Sequence, residues 1–173
     1  GLKRPLFRSR LSPQLFFDVG PLLRYNGKNI AKEQSCMDIY EKIKESRNTT
    51  NPFCKRLGIW VEELREGYAR VTKTVGPEDL NPVGVPHGGV YFSMADTASG
   101  SAMASHGYLA VTVNANYNFL RSAQLGDVLT AEAQESKHGR TLSFFDVRIT
   151  NQDGTLLGTG IFTFYRLDRK IEI

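Results

Sequence analysis

The chain has 173 residues, a formal net charge of +4 and two cysteines. This length suits one domain with its own hydrophobic core. No run approaches the roughly 20 apolar residues that a membrane-spanning helix needs, so we expect no membrane partner. Cys36 and Cys54 form no C-x-x-C pair, which excludes a disulfide framework and favours a reducing, cytoplasmic compartment.

The positive charge is concentrated near the N-terminus. Residues 1–36 carry seven basic and two acidic residues, whereas residues 37–173 carry 15 basic and 16 acidic residues. A nearly neutral body argues against nucleic-acid binding by the domain. We therefore divide the chain into a basic N-terminal extension (1–36) and a folded domain (37–173). The extension is interpreted in three ways: an ordered strap, a basic targeting segment, or non-native sequence upstream of the domain.

The first predicted element is a short amphipathic helix from Met37 to about Arg47. Two strands follow, over residues 58–64 and 68–75, around an Arg65-Glu66-Gly67 turn. A loop with three prolines then leads into a long helix over residues 88–105 that is rich in Gly, Ala and Ser. Such a helix lacks a charged outer face, so we expect a sheet to curl closely around it.

Four further strands are predicted, over residues 109–119, 128–136, 142–150 and 156–166. The first alternates between an apolar face and a polar face that includes Thr112. The second and third meet around His138-Gly139-Arg140, and Asp153-Gly154 turns into the last. Helices and strands are segregated along the chain, so the expected fold class is α+β with an antiparallel sheet.

Asp96 is the only Asp, Glu, Lys or Arg between His87 and His106. A carboxylate on an otherwise uncharged helix is costly to bury without a partner, so Asp96 is a candidate functional residue. Two structural alternatives stay open. In the first, Asp96 lies on the solvent-exposed surface of the helix, and in the second, a structural hydrogen bond satisfies its carboxylate.

The long helix begins with His87-Gly88-Gly89, directly after Pro86. Backbone N–H groups at a helix N-terminus lack intrahelical partners, and the helix dipole favours negative charge there. Such donors suit the oxyanion that forms in ester or thioester hydrolysis. The glycine pair is equally compatible with tight packing alone, and His87 with capping of the loop.

Gly89 and Asp96 are seven residues apart and so share one helix face. Their backbones are separated by about 10 Å, at about 1.5 Å per residue. The short Asp96 side chain does not close that gap, so one carbonyl group cannot contact both groups within a single chain. If both act on it, the active site is shared across a two-fold dimer.

These residues together resemble the hot-dog-fold thioesterases of the phenylacetate-pathway, or PaaI-like, type. The resemblance covers residues 57–166 and implies a long central helix wrapped by a curved antiparallel sheet of five to six strands. It also implies acyl-CoA thioesterase activity without a cofactor, and homodimers that pair into a homotetramer. The matching motifs are Asn81-Pro82-Val83-Gly84-Val85-Pro86-His87-Gly88-Gly89 with Asp96, Val111-Thr112-Val113-Asn114, Gly126-Asp127 and Gly139-Arg140-Thr141-Leu142.

The resemblance implies a role for each of five candidate catalytic residues. Asp96 matches the catalytic carboxylate, as a general base on water or as a nucleophile. Gly89 would donate its N–H to the oxyanion, and Thr112 would support the carboxylate and the water. Asn81 would contact the thioester carbonyl or orient the water, and His87 would orient the loop and the substrate.

Gly88, Arg140 and Thr141 are the expected coenzyme A-binding residues. Arg140 lies in a hairpin turn where basic residues meet the nucleotide, because Arg pairs well with phosphate. Structural alternatives stay open here as well. Asn81 is also a turn-former, Thr112 an ordinary strand residue and Arg140 a solvated turn residue.

Other chemistries lack their motifs. The sequence has no G-x-S-x-G elbow, and its three histidines are widely spaced without a metal-ligand motif, so no metal site is predicted. Two alternative functions remain open. One is a non-catalytic acyl-CoA sensor whose basic extension touches nucleic acid. The other is a dehydratase with His87 as its base.

Overall fold

The structure is a computed structural model that describes residues 27–172. Residues 1–26, and with them most of the predicted extension, lie outside the described residues. Within 27–172, no helix is both long enough and apolar enough to cross a membrane.

The first helix is longer than predicted. Helix α1 spans Gly27–Thr50, so the predicted start at Met37 is wrong by ten residues and the proposed boundary after residue 36 falls inside the helix. Residues 28–36 include good helix formers such as Lys, Ala, Glu and Gln, which favour a helix without producing an apolar period. Whether residues 37–173 form a unit by themselves stays a prediction.

A second short helix, α2, spans Pro52–Leu57 and was missed. Asn51 caps it by accepting hydrogen bonds from the N–H groups of Phe53 and Cys54, both at 3.1 Å. Gly58 ends it in the left-handed conformation, with φ of 64°. A helix of this length buries too few residues to show an apolar repeat in the sequence. Its formation depends on the capping residues at its two ends.

The six predicted strands are confirmed and form one antiparallel sheet. Their order across the sheet is β1-β2-β4-β5-β6-β3. The long helix α3 spans Gly88–Ala104 between β2 and β3. The strands are β1 Trp60–Arg65, β2 Tyr68–Thr74, β3 Tyr108–Phe119, β4 Val128–His138, β5 Leu142–Thr150 and β6 Leu156–Lys170.

The core lies between α3 and the concave face of the sheet. Met94, Ala98 and Ala102 of α3 are fully buried, as are Ala131 of β4 and Phe145 of β5. Small side chains on α3 let the sheet approach the helix closely. This confirms the predicted α+β class, with a six-stranded antiparallel sheet wrapped around one central helix.

Strand β3, which lies at one edge of the sheet, departs from its predicted pattern. Its alternation predicts one buried face, yet Val111 and Val113 are 48% and 53% exposed. The pairing of β3 with β6 also shifts between Thr112 and Asn114. An alternating pattern identifies two faces but does not show whether another element covers them. The β3 edge therefore presents unpaired backbone groups and apolar side chains in one chain.

Candidate active site

A buried ion pair holds the loop that leads into α3. Lys73 Nζ lies 2.8 Å from Asp79 Oδ2, and their side chains are only 3% and 2% exposed. Asp79 Oδ2 also accepts from the Gly76 N–H at 2.8 Å, and the Asp79 carbonyl accepts from the His87 N–H at 2.8 Å. Lys73 also donates to the Leu57 carbonyl. The pair thus fixes both ends of the loop that positions the start of α3.

Replacing Lys73 with Met is expected to destabilise the fold, because it leaves the Asp79 carboxylate buried without a counter-charge. Breaking a buried pair from one side costs about 3–5 kcal/mol. Urea unfolding measures this loss. The double variant Lys73→Met/Asp79→Leu is the matched control and should recover part of the loss, since it removes both buried charges. A single variant as stable as wild type would contradict the role of the pair.

Asn81 is engaged within the same loop. Its Oδ1 accepts from the N–H groups of Val83 at 3.0 Å and Val85 at 3.3 Å, and its own N–H donates to the Val85 carbonyl at 2.8 Å. This is the geometry of the turn-forming alternative. The predicted contact between Asn81 and the substrate stays a prediction.

His87 caps the N-terminus of α3. Its Nδ1 accepts a hydrogen bond from the Gly89 N–H at 2.9 Å, so the predicted oxyanion donor already has an acceptor. A Cβ on Gly89 would lie 3.0 Å from this Nδ1, and a Cβ on Gly88 would lie 3.2 Å from the Phe119 ring. The two glycines therefore allow close packing around the helix start, as the packing alternative requires.

Asp96 and Thr112 meet between α3 and β3. The Thr112 hydroxyl donates to Asp96 Oδ1 at 2.6 Å, a short distance typical of a charge-assisted hydrogen bond. Asp96 is half-buried and Thr112 is exposed. The pair is therefore accessible to a substrate or a water molecule from the side of the β3 edge.

Arg47 of α1 places a positive charge near Asp96 that the sequence did not predict. Its Nη2 donates to the Gly100 carbonyl at 2.6 Å. Burial lowers the pKa of Arg47 below its usual value, and the nearby Cys54 and Asp96 offset only part of this lowering. Asp96 is thus the only charged residue within its helix, but a second charged residue, Arg47, lies close to it in space. No sequence signal pairs α1 with α3.

Arg140 and Thr141 lie apart from the other predicted site residues. Both are exposed in the turn between β4 and β5, where the Thr141 carbonyl accepts from the Arg166 N–H at 2.9 Å. Because β6 separates β5 from β3, the start of β5 is about 10 Å from β3. Within one chain, the structure therefore brings together Asp96 with Thr112, and His87 with both glycines, as two separate groups.

A groove of about 660 Å³ lies on the convex face of the sheet, opposite α3. Its lining includes Tyr68, Glu132 and Ile161 but neither Asp96 nor Thr112. The Asp96–Thr112 pair and this groove are therefore on different sides of the sheet. Asp96 instead contacts Thr112 on the β3 edge, and Gly88 packs beside the exposed ring of Phe119.

Comparisons of sequence and of structure with known proteins both identify thioesterases. The thioesterase superfamily model matches residues 83–157. Acyl-coenzyme A thioesterase PaaI from Escherichia coli is 43% identical over 98 residues, which cover 57% of this chain and 70% of that protein. The solved structure of E. coli PaaI superposes with a TM-score of 0.74 at 33% identity, covering 77% of this chain and 96% of that chain.

A hypothetical thioesterase protein from Streptococcus pneumoniae TIGR4 has been solved with coenzyme A. It superposes with a TM-score of 0.63 at 34% identity, covering 65% of this chain and 91% of that chain. The same protein has been solved as an Asp-to-Ala variant and as a Thr-to-Ala variant, with the two substituted positions 16 residues apart. Asp96 and Thr112 are also 16 residues apart.

Proposed function

The chain belongs to the PaaI-like hot-dog thioesterases of the thioesterase superfamily and is a thioester hydrolase, and from this premise we propose that its substrates are acyl-CoA thioesters. The products are a free acid and coenzyme A. The coenzyme A complex of the S. pneumoniae relative supports this substrate class. Arg140, exposed in its hairpin turn, supplies a guanidinium group for a nucleotide phosphate.

The hydrogen bond between Thr112 and Asp96 is the observation that carries the proposal. As a general base, Asp96 takes a proton from water while the water oxygen attacks the thioester carbonyl carbon. Collapse of the tetrahedral intermediate breaks the C–S bond, and the leaving thiolate takes up the proton. As a nucleophile, Asp96 instead forms a mixed anhydride, expels the thiolate and is released by water. Both routes need an ionised, accessible carboxylate.

The Gly89 N–H is the proposed oxyanion donor, at the positive end of the α3 dipole. His87 Nδ1 accepts this hydrogen bond at 2.9 Å in the free protein. The oxyanion and the imidazole therefore compete for one donor, so substrate binding has to displace the exposed His87 ring. His87 keeps the donor oriented until the carbonyl oxygen replaces it and then faces the substrate.

The β3 edge is the proposed dimer contact. Gly88 packs near Phe119 at one end of β3, and Asp96 bonds Thr112 nearer the other end. If two β3 edges pair antiparallel about a two-fold axis between those ends, Asp96 of each chain faces the α3 N-terminus of its partner. The exposed Val111 and Val113 support such a contact. We further propose that two such dimers pair into a homotetramer. We also propose a cytoplasmic location.

Thr112→Val removes the hydroxyl and keeps the shape of the side chain. A hydrogen bond to a charged group is worth about 1.5–3 kcal/mol, so kcat should fall by about 10- to 100-fold. Thr112→Ser, which restores the hydroxyl, is the matched control and should stay close to wild type. Wild-type kcat in the Val variant would show that the hydroxyl does not support Asp96.

The substrate class is tested by changing only the thiol part of the substrate. The same acyl group is offered on coenzyme A and on N-acetylcysteamine, and kcat/KM is measured for each by thiol release. We expect a clear preference for the coenzyme A ester, reduced in an Arg140→Ala variant. Equal kcat/KM for both esters would exclude recognition of the nucleotide. Tight acyl-CoA binding without turnover would instead favour the acyl-CoA sensor alternative.

A further inference from the structure

A second cluster of titratable side chains lies at the other end of α3. His106 follows the helix, and Glu135 and His138 are near the end of β4. His106 Nε2 is 3.1 Å from both carboxylate oxygens of Glu135, and His138 Nδ1 is 2.9 Å from Oε1. His106 is ten residues beyond Asp96, or about 15 Å along a helical path, so the cluster is separate from the candidate active site.

A β-bulge places Glu135 and His138 on the same face of β4. In a regular strand, residues three positions apart point to opposite faces. The pairing of β4 with β5 shifts between Glu135 and Lys137, which leaves Ser136 as the extra residue. Both side chains therefore point to the concave face, where His138 pairs with the buried Ser143 of β5. Without the bulge, the three ligand atoms would not converge.

Backbone contacts also fix the cluster around Gly67, in the turn between β1 and β2. The Gly67 N–H donates to Ser105 Oγ at 2.9 Å, and its carbonyl accepts from the Glu135 N–H at 2.7 Å. A Cβ on Gly67 would lie 3.0 Å from the Glu135 side chain. The end of α3 and the end of β4 are thus held together before any ligand binds.

Two of the three side chains in the cluster are largely buried. The side chains of Glu135 and His106 are only 12% and 13% exposed, while His138 is 41% exposed. Among residues 27–172, the ion-pair partners of Glu135 are these two imidazoles, which carry charge only when protonated. A mostly buried carboxylate is stabilised by a cation close by. A metal ion between the three side chains would supply that charge and would use all three as ligands.

We propose that His106, Glu135 and His138 bind one divalent transition-metal ion, with Zn²⁺ as the expected occupant. One donor atom of each residue lies within 4.8 Å of the other two. Tetrahedral Zn²⁺ with bonds of about 2.0–2.2 Å places neighbouring donors about 3.3 Å apart, which small side-chain shifts provide. Two imidazoles and one carboxylate suit Zn²⁺ better than Mg²⁺ or Ca²⁺, which prefer oxygen ligands.

The fourth ligand would come from a nearby oxygen. The Ser143 hydroxyl lies 3.1 Å from His138 Nδ1, and either this oxygen or a water molecule would complete the coordination. The bound ion ties the turn after α3 to the β4–β5 hairpin that carries Arg140. The site therefore stabilises the fold, and its function is independent of the proposed thioester chemistry.

The prediction that the widely spaced histidines form no metal site rested on sequence motifs. His106 and His138 are far apart in the chain, so local spacing gives no signal for a shared ligand. The antiparallel register, the β4 bulge and the turn after α3 bring them together. Their rings lie 4.0 Å apart between centroids.

Isothermal titration of Zn²⁺ into the full-length, tag-free, chelator-treated chain tests the proposal. We expect one ion per chain and a higher melting temperature with Zn²⁺ than without it. Loss of an outer-shell partner alone costs about 10- to 100-fold in metal affinity, so Glu135→Gln and His138→Asn should each weaken binding at least that much. His87→Ala removes the histidine outside the cluster and should bind Zn²⁺ as wild type does.

Two further readouts keep the test decisive. The metal-free cluster variants should melt close to metal-free wild type, and Co²⁺ bound to wild type should give the visible absorption of a four-coordinate ion. No Zn²⁺ binding by wild type would overturn the proposal, as would equal affinity in both cluster variants and wild type. Binding is measured without a thioester, so failure here leaves the proposed function untouched.

Discussion

Asp96→Asn is expected to lower kcat/KM for acyl-CoA hydrolysis by about 10²- to 10⁴-fold. The amide neither accepts the proton of water nor attacks as a carboxylate does. Asn keeps the size of the side chain. Its Oδ1 can accept the hydrogen bond that the Thr112 hydroxyl donates to Asp96 Oδ1 at 2.6 Å in the wild type. The fold should therefore persist, and steady-state thiol release isolates the chemical effect.

Asp146→Asn is the matched control for this experiment. Asp146 is an exposed aspartate on the convex face of the sheet, away from the β3 edge. The same charge change should leave kcat/KM near the wild-type value. An Asp96→Asn variant that turns over within a few-fold of wild type would remove Asp96 from the mechanism. Thermal unfolding of both variants shows whether they are equally folded.

A mixed dimer of an Asp96→Asn chain and a Gly89→Pro chain should regain about half of the wild-type turnover. Proline removes the Gly89 N–H and is tolerated in the first turn of a helix. If the site is shared, one of the two sites then combines an intact Asp96 with an intact Gly89 N–H from the other chain. Each parental homodimer should be inactive.

Two different affinity tags isolate the mixed dimer from both parents, and thiol release measures its turnover. A mixed dimer of two Asp96→Asn chains carrying the same tags is the background control. Turnover no higher than this background, with both parents folded and dimeric, would place each site within one chain. The β3 edge would then lose its role as the contact that assembles the site.

The elements with strong periods were predictable from sequence. The six strands alternate or carry clear turns, and α3 is a long run of small residues without charges. The start of α1 and the whole of α2 were missed, because propensity and capping decide them without an apolar period. The β3 alternation was detected, but its apolar residues Val111 and Val113 are exposed. A pattern does not show which elements pack against a strand.

The candidate site was predictable where one residue departs from its local surroundings. Asp96 is the only charged residue on its helix, and the resemblance adds Thr112, His87 and Gly89 as further candidates. The hydrogen bond from Gly89 to His87 agrees with the capping alternative, which local sequence could not separate from a catalytic role. Only the fold distinguishes whether a side chain has a partner within its own loop.

Contacts that depend on tertiary packing could not be predicted. Lys73 of β2 pairs with Asp79 inside the fold, and Arg47 of α1 contacts α3. The His106, Glu135 and His138 cluster depends on a one-residue bulge that no composition reveals. These interactions arise from register and packing, so they require the three-dimensional structure.

The central claim is that the chain hydrolyses acyl-CoA thioesters. The most direct measurement is release of coenzyme A by wild type from a panel of short, medium, long and aromatic acyl-CoAs, with the acid product identified by mass spectrometry. We predict stoichiometric acid and coenzyme A from at least one class of acyl group, which would also define the acyl preference. Absence of coenzyme A release from every member, with acyl-CoA binding retained, would contradict hydrolysis and identify a binding module.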